Sequence, residues 1–190
     1  MTRILIGLSG PARSGKDTAA RHLTDTYNLI SYAFADPMRE GLMSIFNLSP
    51  CDFEGDRKEQ SIAWIGKSPR ELLQTLGTEW GRTQVHQDIW LRVAEQNLAF
   101  LAETHDTASG FVITDIRTES EAEFIRKHGG LVIHLIRESA PSVSPHSTEQ
   151  RLDIQDNDRV VHNDGSIESL REQLDDYVLA LIERMRRAAA

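Results

Sequence analysis

The chain has 190 residues, 39% of them hydrophobic and 26% charged, which is the balance of a soluble globular domain with enough length for a full α/β core. Its formal charge of −8, from 21 basic and 29 acidic residues, argues against nonspecific binding to nucleic acid, which needs a basic footprint. Cys51 is the sole cysteine, so an intrachain disulfide and a cysteine-built metal site are both excluded, as suits a reducing compartment.

In chain order, the apolar run Ile4-Leu5-Ile6-Gly7-Leu8 predicts a first strand. It is too short to span a membrane and runs straight into a glycine-rich loop, so neither an anchor nor a signal peptide is expected, and the cytoplasm is the expected compartment. A helix follows from Lys16 to about Tyr27, turning Ala19, Ala20 and Leu23 toward the sheet. Leu29 to Ala35 reads as a second strand ending at Asp36-Pro37, and Met38 to Phe46 as a short helix. Residues 49–61 are polar and expected to loop, before a mostly helical block from Ser68 to about Glu103. Phe111 to Thr114 predicts a buried strand ending at Asp115, and Glu119 to His128 a helix closed by Gly129-Gly130. Leu131 to Ile136 is the expected fourth strand, followed by a polar Ser/Pro segment. Arg159 to Val161 is a short fifth strand, and Ser166 opens a final amphipathic helix reaching Arg187. Strands alternating with helices imply right-handed crossovers and a parallel sheet.

The loop carries the clearest chemistry. Gly10-Pro-Ala-Arg-Ser-Gly15-Lys16 between a strand and a helix is a phosphate-binding loop. Its glycines let successive backbone N–H groups point inward at a triphosphate, the helix dipole adds positive potential, and Lys16 can reach the β- and γ-phosphates. Asp17 stands where Ser or Thr commonly ligates Mg²⁺, with Thr18 next to it, so the expected metal site is altered rather than removed. Parallel sheets bind ligands at the carboxyl ends of their strands. Asp36, Asp115 with Arg117, and Asn163 fall there. Asp115 is read either as a carboxylate facing Mg²⁺ or as a cap for the next helix; Asp36 is read equally as a site residue or as a helix start. Arg117 would clamp a phosphate from the same crevice.

Ser68 and Glu71 form a capping box with Pro69 at the first helical position, and are expected to be structural. Leu72, Leu73 and Leu76 make the apolar stripe, whereas Arg70, Gln74, Gly77 and Gly81 share another face. Each helical glycine costs about 1 kcal/mol relative to Ala, so something should come close to that face. A neighbouring helix or a substrate would do so, and the accompanying Arg and Gln favour a substrate whose phosphate meets Arg70.

Together these residues resemble the phage-type deoxynucleoside monophosphate kinases of the P-loop nucleotide-kinase superfamily. The resemblance spans nearly the whole chain: Gly10 to Thr18, Phe34 to Arg39, Pro69 to Glu79, Asp88-Ile89-Trp90, Thr114 to Arg117 with Glu121-Ala122, His146 to Glu149, and Asn163 to Ser166. Thr148 replaces the Ser that the family usually has after the His. The resemblance implies a single P-loop kinase domain over residues 1–190, with a five-stranded parallel sheet flanked by helices, a helical monophosphate-binding region over about 37–105 and a lid over about 137–152. It implies ATP-dependent phosphorylation of a deoxynucleoside monophosphate, with Mg²⁺, in the supply of nucleotides for phage DNA synthesis in the host cytoplasm. The residues it assigns to ATP are Gly10, Arg13, Ser14, Gly15, Lys16, Asp17, Thr18 and Arg137, with Asn163 near the adenine. Asp17 and Asp115 would face the metal, and Lys16, Asp115, Arg117 and Arg151 the transferring phosphoryl group. Asp36, Arg39, Lys67, Arg70, Gln74, Gly77, Thr78, Arg82, Trp90 and Arg117 would line the monophosphate. The partners are small nucleotides, with neither nucleic acid nor membrane, and a homodimer is compatible with the sequence. Rival readings are a phosphomevalonate- or dephospho-coenzyme A-type kinase, which the Arg70–Arg82 block opposes, and a nucleotide switch, which should carry an Asn-Lys-x-Asp guanine reader absent here.

Overall fold

A computed structural model describes residues 3–138 and 152–188. Five strands form one parallel sheet: β1 (Ile4–Ser9), β2 (Leu29–Tyr32), β3 (Gly110–Ile116), β4 (Leu131–Ile136) and β5 (Arg159–His162), in the order β2-β3-β1-β4-β5. β1 is therefore the central strand, bonded on both sides, and all six of its residues are buried. A strand covered on both faces reads as a continuous apolar run, which is why β1 does not alternate.

The two faces are filled by different helices. Ile4, Ile6 and Leu8 join Val112, Ile133, Leu135 and Val161 in a core closed by α1 (Lys16–Tyr27) and α6 (Ile167–Ala188), through Ala19, Leu23, Leu170, Leu174, Val178 and Leu181. Fully burying each such aliphatic side chain stabilises by roughly 1.5–3 kcal/mol. Successive strand residues point to opposite faces. Gly7 accordingly looks the other way, where a Cβ would collide with Ile116 and press on Ile125 of α5 (Glu119–Lys127).

The chain divides into two compact units, residues 34–100 forming one and the sheet with its helices the other. The smaller unit contains α2 (Asp36–Phe46), two 3-10 turns (Pro50–Phe53 and Arg57–Glu59), α3 (Pro69–Gln74), a π-helical stretch (Thr75–Val85) and most of α4 (Ile89–Thr104). Several boundaries differ from expectation. β2 stops at Tyr32, and Asp36 lies inside the first turn of α2 rather than at a strand end. The helical block from Ser68 is broken, its middle wound as a π-helix in which the N–H of His86 reaches the carbonyl of Gly81, five residues back. Residues 49–61 are wound into the two short turns instead of a plain loop. Among the described residues no helix is long and apolar enough to cross a membrane.

Candidate nucleotide site

β1 ends at Ser9 and the chain turns at once through Gly10 (φ 145°) and Gly15 (φ 103°) into α1. At Gly10 a Cβ would run into the carbonyl of Leu135, so no other residue lets β1 leave the sheet here beside β4. Arg13 also has positive φ (66°), and the N–H of Ser14 donates to the carbonyl of Pro11 (3.2 Å), which closes the loop. Ser14 is fully buried, and its hydroxyl has no hydrogen-bond partner among the described residues. Lys16 folds back over the loop, its Nζ donating to the carbonyls of Gly10 (2.6 Å) and Pro11 (2.7 Å). Here the ammonium sits at the positive end of α1, beside backbone groups that suit an anion.

Asp17 and Thr18 are exposed in the first turn of α1. Asp17 lines a cleft of about 330 Å³ with Ala20, Arg21, Thr24, Ser31 and Thr114, which brings the first turn of α1 opposite the ends of β2 and β3. Asp115 is the next-to-last residue of β3, one short of its end at Ile116 and close to the strand end expected. A bulge lies here: Gly7 pairs with Ile113 but Ser9 with Ile116, so β3 carries one extra residue over this stretch. Thr114 and Asp115 are consecutive yet both partly exposed, which regular alternation would not allow.

Arg117 is exposed just beyond β3, and its backbone is fixed from below. The Glu121 carboxylate accepts the N–H groups of Arg117 (2.7 Å) and Thr118 (3.0 Å), while Thr118 caps α5 in return. Glu121 is buried and is a residue whose role the sequence reading missed, although Thr118-x-x-Glu121 is a legible capping box. Asn163 follows β5 and donates from Nδ2 to the carbonyl of Ser14 (2.9 Å). Arg137 is exposed after β4. Arg151 and nearly all of the 137–152 segment lie outside the described residues.

In the unit of residues 34–100, Arg39 pairs with Asp36 (3.0 Å) within the first turn of α2. Arg70 is partly exposed on α3, and its Nε meets Glu59 of the second 3-10 turn at 2.8 Å. Glu59 is a second residue that sequence reading missed. Lys67 is exposed and closes a tight turn through its carbonyl, which accepts the N–H of Ile62 (3.0 Å). Glu71 is the capping residue expected: bonds from the Ser68 N–H (2.7 Å) and hydroxyl (3.0 Å) hold its carboxyl below the usual range. Gln74 and Thr78 are exposed, and Arg82 is partly buried.

The glycines of this helix have a different explanation from the one expected. What approaches them is Trp90 and Met38: a Cβ on Gly81 would stand 2.7 Å from the Trp90 ring, and one on Gly77 3.0 Å from the Met38 sulfur. Trp90 is itself buried, and its indole N–H donates to the carbonyl of Gly77 (2.7 Å). Gly77 and Trp90 are therefore placed as packing partners, not as an open face for substrate.

Away from these groups, a buried polar cluster joins α5, β4 and the approach to β5. Asp158 accepts from Arg126 Nε (3.0 Å) and Nη2 (2.6 Å) and from the N–H of Gln155 (3.0 Å), and it is hydrogen-bonded to His134 (3.0 Å). Burial pushes the Asp158 carboxyl up, but these bonds outweigh it and hold the group below its ordinary value.

Comparison with known proteins finds relatives over most of the chain. The likeness to a gluconokinase from Sinorhizobium meliloti 1021, with a TM-score of 0.56 at 11% identity over 100% of this chain and 99% of that one, concerns the fold alone. A relative from Acanthamoeba polyphaga mimivirus is 32% identical over 185 residues, 90% of this chain and 94% of its own length. The deoxynucleotide monophosphate kinase of Enterobacteria phage T4 is 27% identical, with 87% of this chain and 95% of the phage protein covered. The family model described as deoxynucleotide monophosphate kinase matches residues 56–174, a stretch running from the Glu59–Arg70 pair through Asp115 and Arg117 to Asn163. A sheet with a phosphate loop on its central strand, and this match over most of the chain, make it a member of the deoxynucleotide monophosphate kinase family.

Proposed function

We propose that the protein transfers the γ-phosphoryl group of ATP to a deoxynucleoside monophosphate, giving ADP and the deoxynucleoside diphosphate. The observation that carries this reading is the Gly10–Lys16 loop at the end of the central strand of a chain belonging to this family. Family membership leaves the phosphomevalonate- and dephospho-coenzyme A-type alternatives without support.

The transfer is a displacement at phosphorus. An oxygen of the acceptor phosphate bonds to the γ-phosphorus while the bond to the β-phosphate oxygen breaks, and ADP departs with that electron pair. The acceptor oxygen is largely ionised near neutral pH, so positioning and charge neutralisation matter more than a strong base. Gly10, Arg13, Ser14, Gly15 and Thr18 form the cradle for the triphosphate. Lys16 exchanges the Gly10 and Pro11 carbonyls for phosphate oxygens when the donor binds. Arg70 is assigned to the acceptor phosphate, and Asp36, Arg39, Lys67, Gln74, Thr78 and Arg82 complete the acceptor region of residues 34–100; Arg117, beyond β3, is assigned to the phosphates on the family resemblance. Gly77 and Trp90 support that region by packing. Arg137, and Arg151 within the expected lid over 137–152, are assigned to the transferring group on the family resemblance.

Mg²⁺ fits the donor set. Asp17, Thr18 and Asp115 offer hard oxygen ligands, and no group of three or more His, Cys, Asp or Glu forms a cage among the described residues. That is the pattern for an ion held by one or two carboxylates and by the nucleotide's own phosphates. When bound, the ion supplies charge neutralisation at the phosphates, and Asp17 and Asp115 are the side chains that would hold it or its waters.

The test is ADP release with ATP and Mg²⁺ against a panel of deoxynucleoside and ribonucleoside monophosphates, phosphomevalonate and dephospho-coenzyme A. At least one deoxynucleoside monophosphate should be consumed as acceptor. Turnover with only the last two compounds, or none above ATP hydrolysis, overturns the assignment.

A further inference from the structure

Asn163 touches the phosphate loop in a way that reading a base would not require. Its Nδ2 donates to the Ser14 carbonyl (2.9 Å), and it sits so close to Gly15 that a Cβ there would collide with the same Nδ2. Asn163 is itself firmly placed. Its own N–H donates to the carbonyl of Ile136 (2.8 Å), the next residue's carboxylate accepts the N–H of Glu138 (2.9 Å), and Ser166 accepts the N–H of Ser169 (3.1 Å) at the start of α6. The short run from Asn163 to Ser166 is thus tied to β4, to the residue after Arg137 and to α6.

The bond has a definite consequence for the loop. In a planar trans peptide the C=O and N–H point in opposite directions. Fixing the Ser14 carbonyl on Asn163 therefore directs the Gly15 N–H away from Asn163. Gly15 has φ 103°, a conformation that L side chains rarely adopt and that a glycine can leave easily. Ser14 adds no restraint through its hydroxyl, which has no partner among the described residues. A side chain outside the loop supplies the restraint instead.

We infer that Asn163 is a positioning residue for the phosphate loop, acting through the Ser14 carbonyl on the Gly15 N–H, and that it serves the triphosphate and not the adenine. This rests on the reading of the loop as the donor site. It replaces the expectation that Asn163 lies against the base, and it predicts an effect independent of which base the donor carries.

The experiment is calorimetric titration of the full chain and two variants with inorganic tripolyphosphate, ATP and GTP, each with Mg²⁺. Asn163→Ala removes the donor and the bulk; Asn163→Leu removes the donor and keeps the volume. A lost hydrogen bond of this kind weakens binding by roughly 2- to 12-fold. Both variants should weaken tripolyphosphate and ATP by the same factor and leave the ATP-to-GTP preference unchanged. In turnover, KM for ATP should rise while KM for the monophosphate stays put. Weakened ATP with unchanged tripolyphosphate would make Asn163 a base reader and overturn the inference. Recovery in Asn163→Leu would make it a space filler, with the same result. Failure of the unsubstituted protein to bind tripolyphosphate would instead remove the donor-site reading beneath it.

Discussion

The indole of Trp90 and the carbonyl of Gly77 are joined by a buried hydrogen bond of 2.7 Å, and the ring's edge lies where a side chain on Gly81 would be. Two helical glycines and one tryptophan are thereby explained as a single packing device that holds the π-helical stretch against α4. Trp90→Phe removes the indole N–H that bonds the Gly77 carbonyl and leaves a smaller ring in its place, at a cost of about 1–3 kcal/mol. Gly81→Ala overpacks the same contact, again by about 1–3 kcal/mol. Each should lower the thermal midpoint by roughly 2–12 °C. An unshifted melting curve in both would show that the contact does not stabilise the helix.

Lys16→Ala should leave the melting transition near that of the parent, because the loop lies outside the core. Turnover should fall by roughly 100- to 1000-fold, the scale for losing one charged group that stabilises a transferring centre. Activity within a few-fold of the parent would contradict the donor-site assignment.

Arg70→Ala should raise the apparent KM for the monophosphate by roughly ten- to over a hundredfold, since a charge-assisted phosphate contact contributes about 1.5–3 kcal/mol. ATP should be little affected. Arg70→Lys keeps the charge but loses the planar fork that meets Glu59 through Nε, so it should recover only part of the loss. A rise in KM for ATP instead would move this helix to the donor side.

For the metal, Asp17 separates two roles. Asp17→Ala should raise the Mg²⁺ concentration needed for half-maximal turnover, and Asp17→Ser, which restores the commoner oxygen ligand, should retain substantial activity. If the metal titration of Asp17→Ala overlays that of the parent, Asp17 acts only on the helix dipole.

Acid should unfasten the Asp158 cluster. A carboxyl held below its unfolded value contributes stability that is present above the ordinary carboxylate range and lost as pH falls through the folded value. Asp158→Asn takes a charged partner from the partly exposed Arg126, which keeps its pair with Glu119, so it should cost roughly 1–3 kcal/mol at pH 7. The gap to the parent should then narrow as denaturant melts are taken from about pH 5 down to about pH 2, across and below the ordinary carboxylate range. A gap constant over that range would mean that the carboxyl's charge is not what stabilises the cluster.

The strands, the phosphate loop and both capping boxes are legible in the sequence because each is encoded within a few neighbouring residues. The contents of Ile4–Ser9 or Leu131–Ile136 leave little choice but a buried strand. The bulge opposite Gly7–Ser9 is not legible in the sequence, because it depends on the partner strand's register, which β3 alone does not carry. Gly77 and Gly81 announce that something comes close, but their identity as partners of Trp90 lies in the tertiary packing. The Arg70–Glu59 and Arg126–Asp158 pairs join residues with no shared local pattern, and only the fold brings them together.

β1 is flanked on both sides, whereas β5 is a four-residue strand at the sheet's edge. Strands in the middle of a sheet open only with the whole molecule, while edges open locally and at lower free energy. The phosphate loop thus grows from the strand paired on both sides and is fastened at Ser14 by the residue that follows the edge strand. Opening of the Asn163–Ser166 run at this edge should release the Ser14 carbonyl without requiring Ile4–Ser9 to open. The Asn163 N–H, which is bonded to the Ile136 carbonyl beside that edge, should accordingly exchange faster than the amides of Ile4–Ser9.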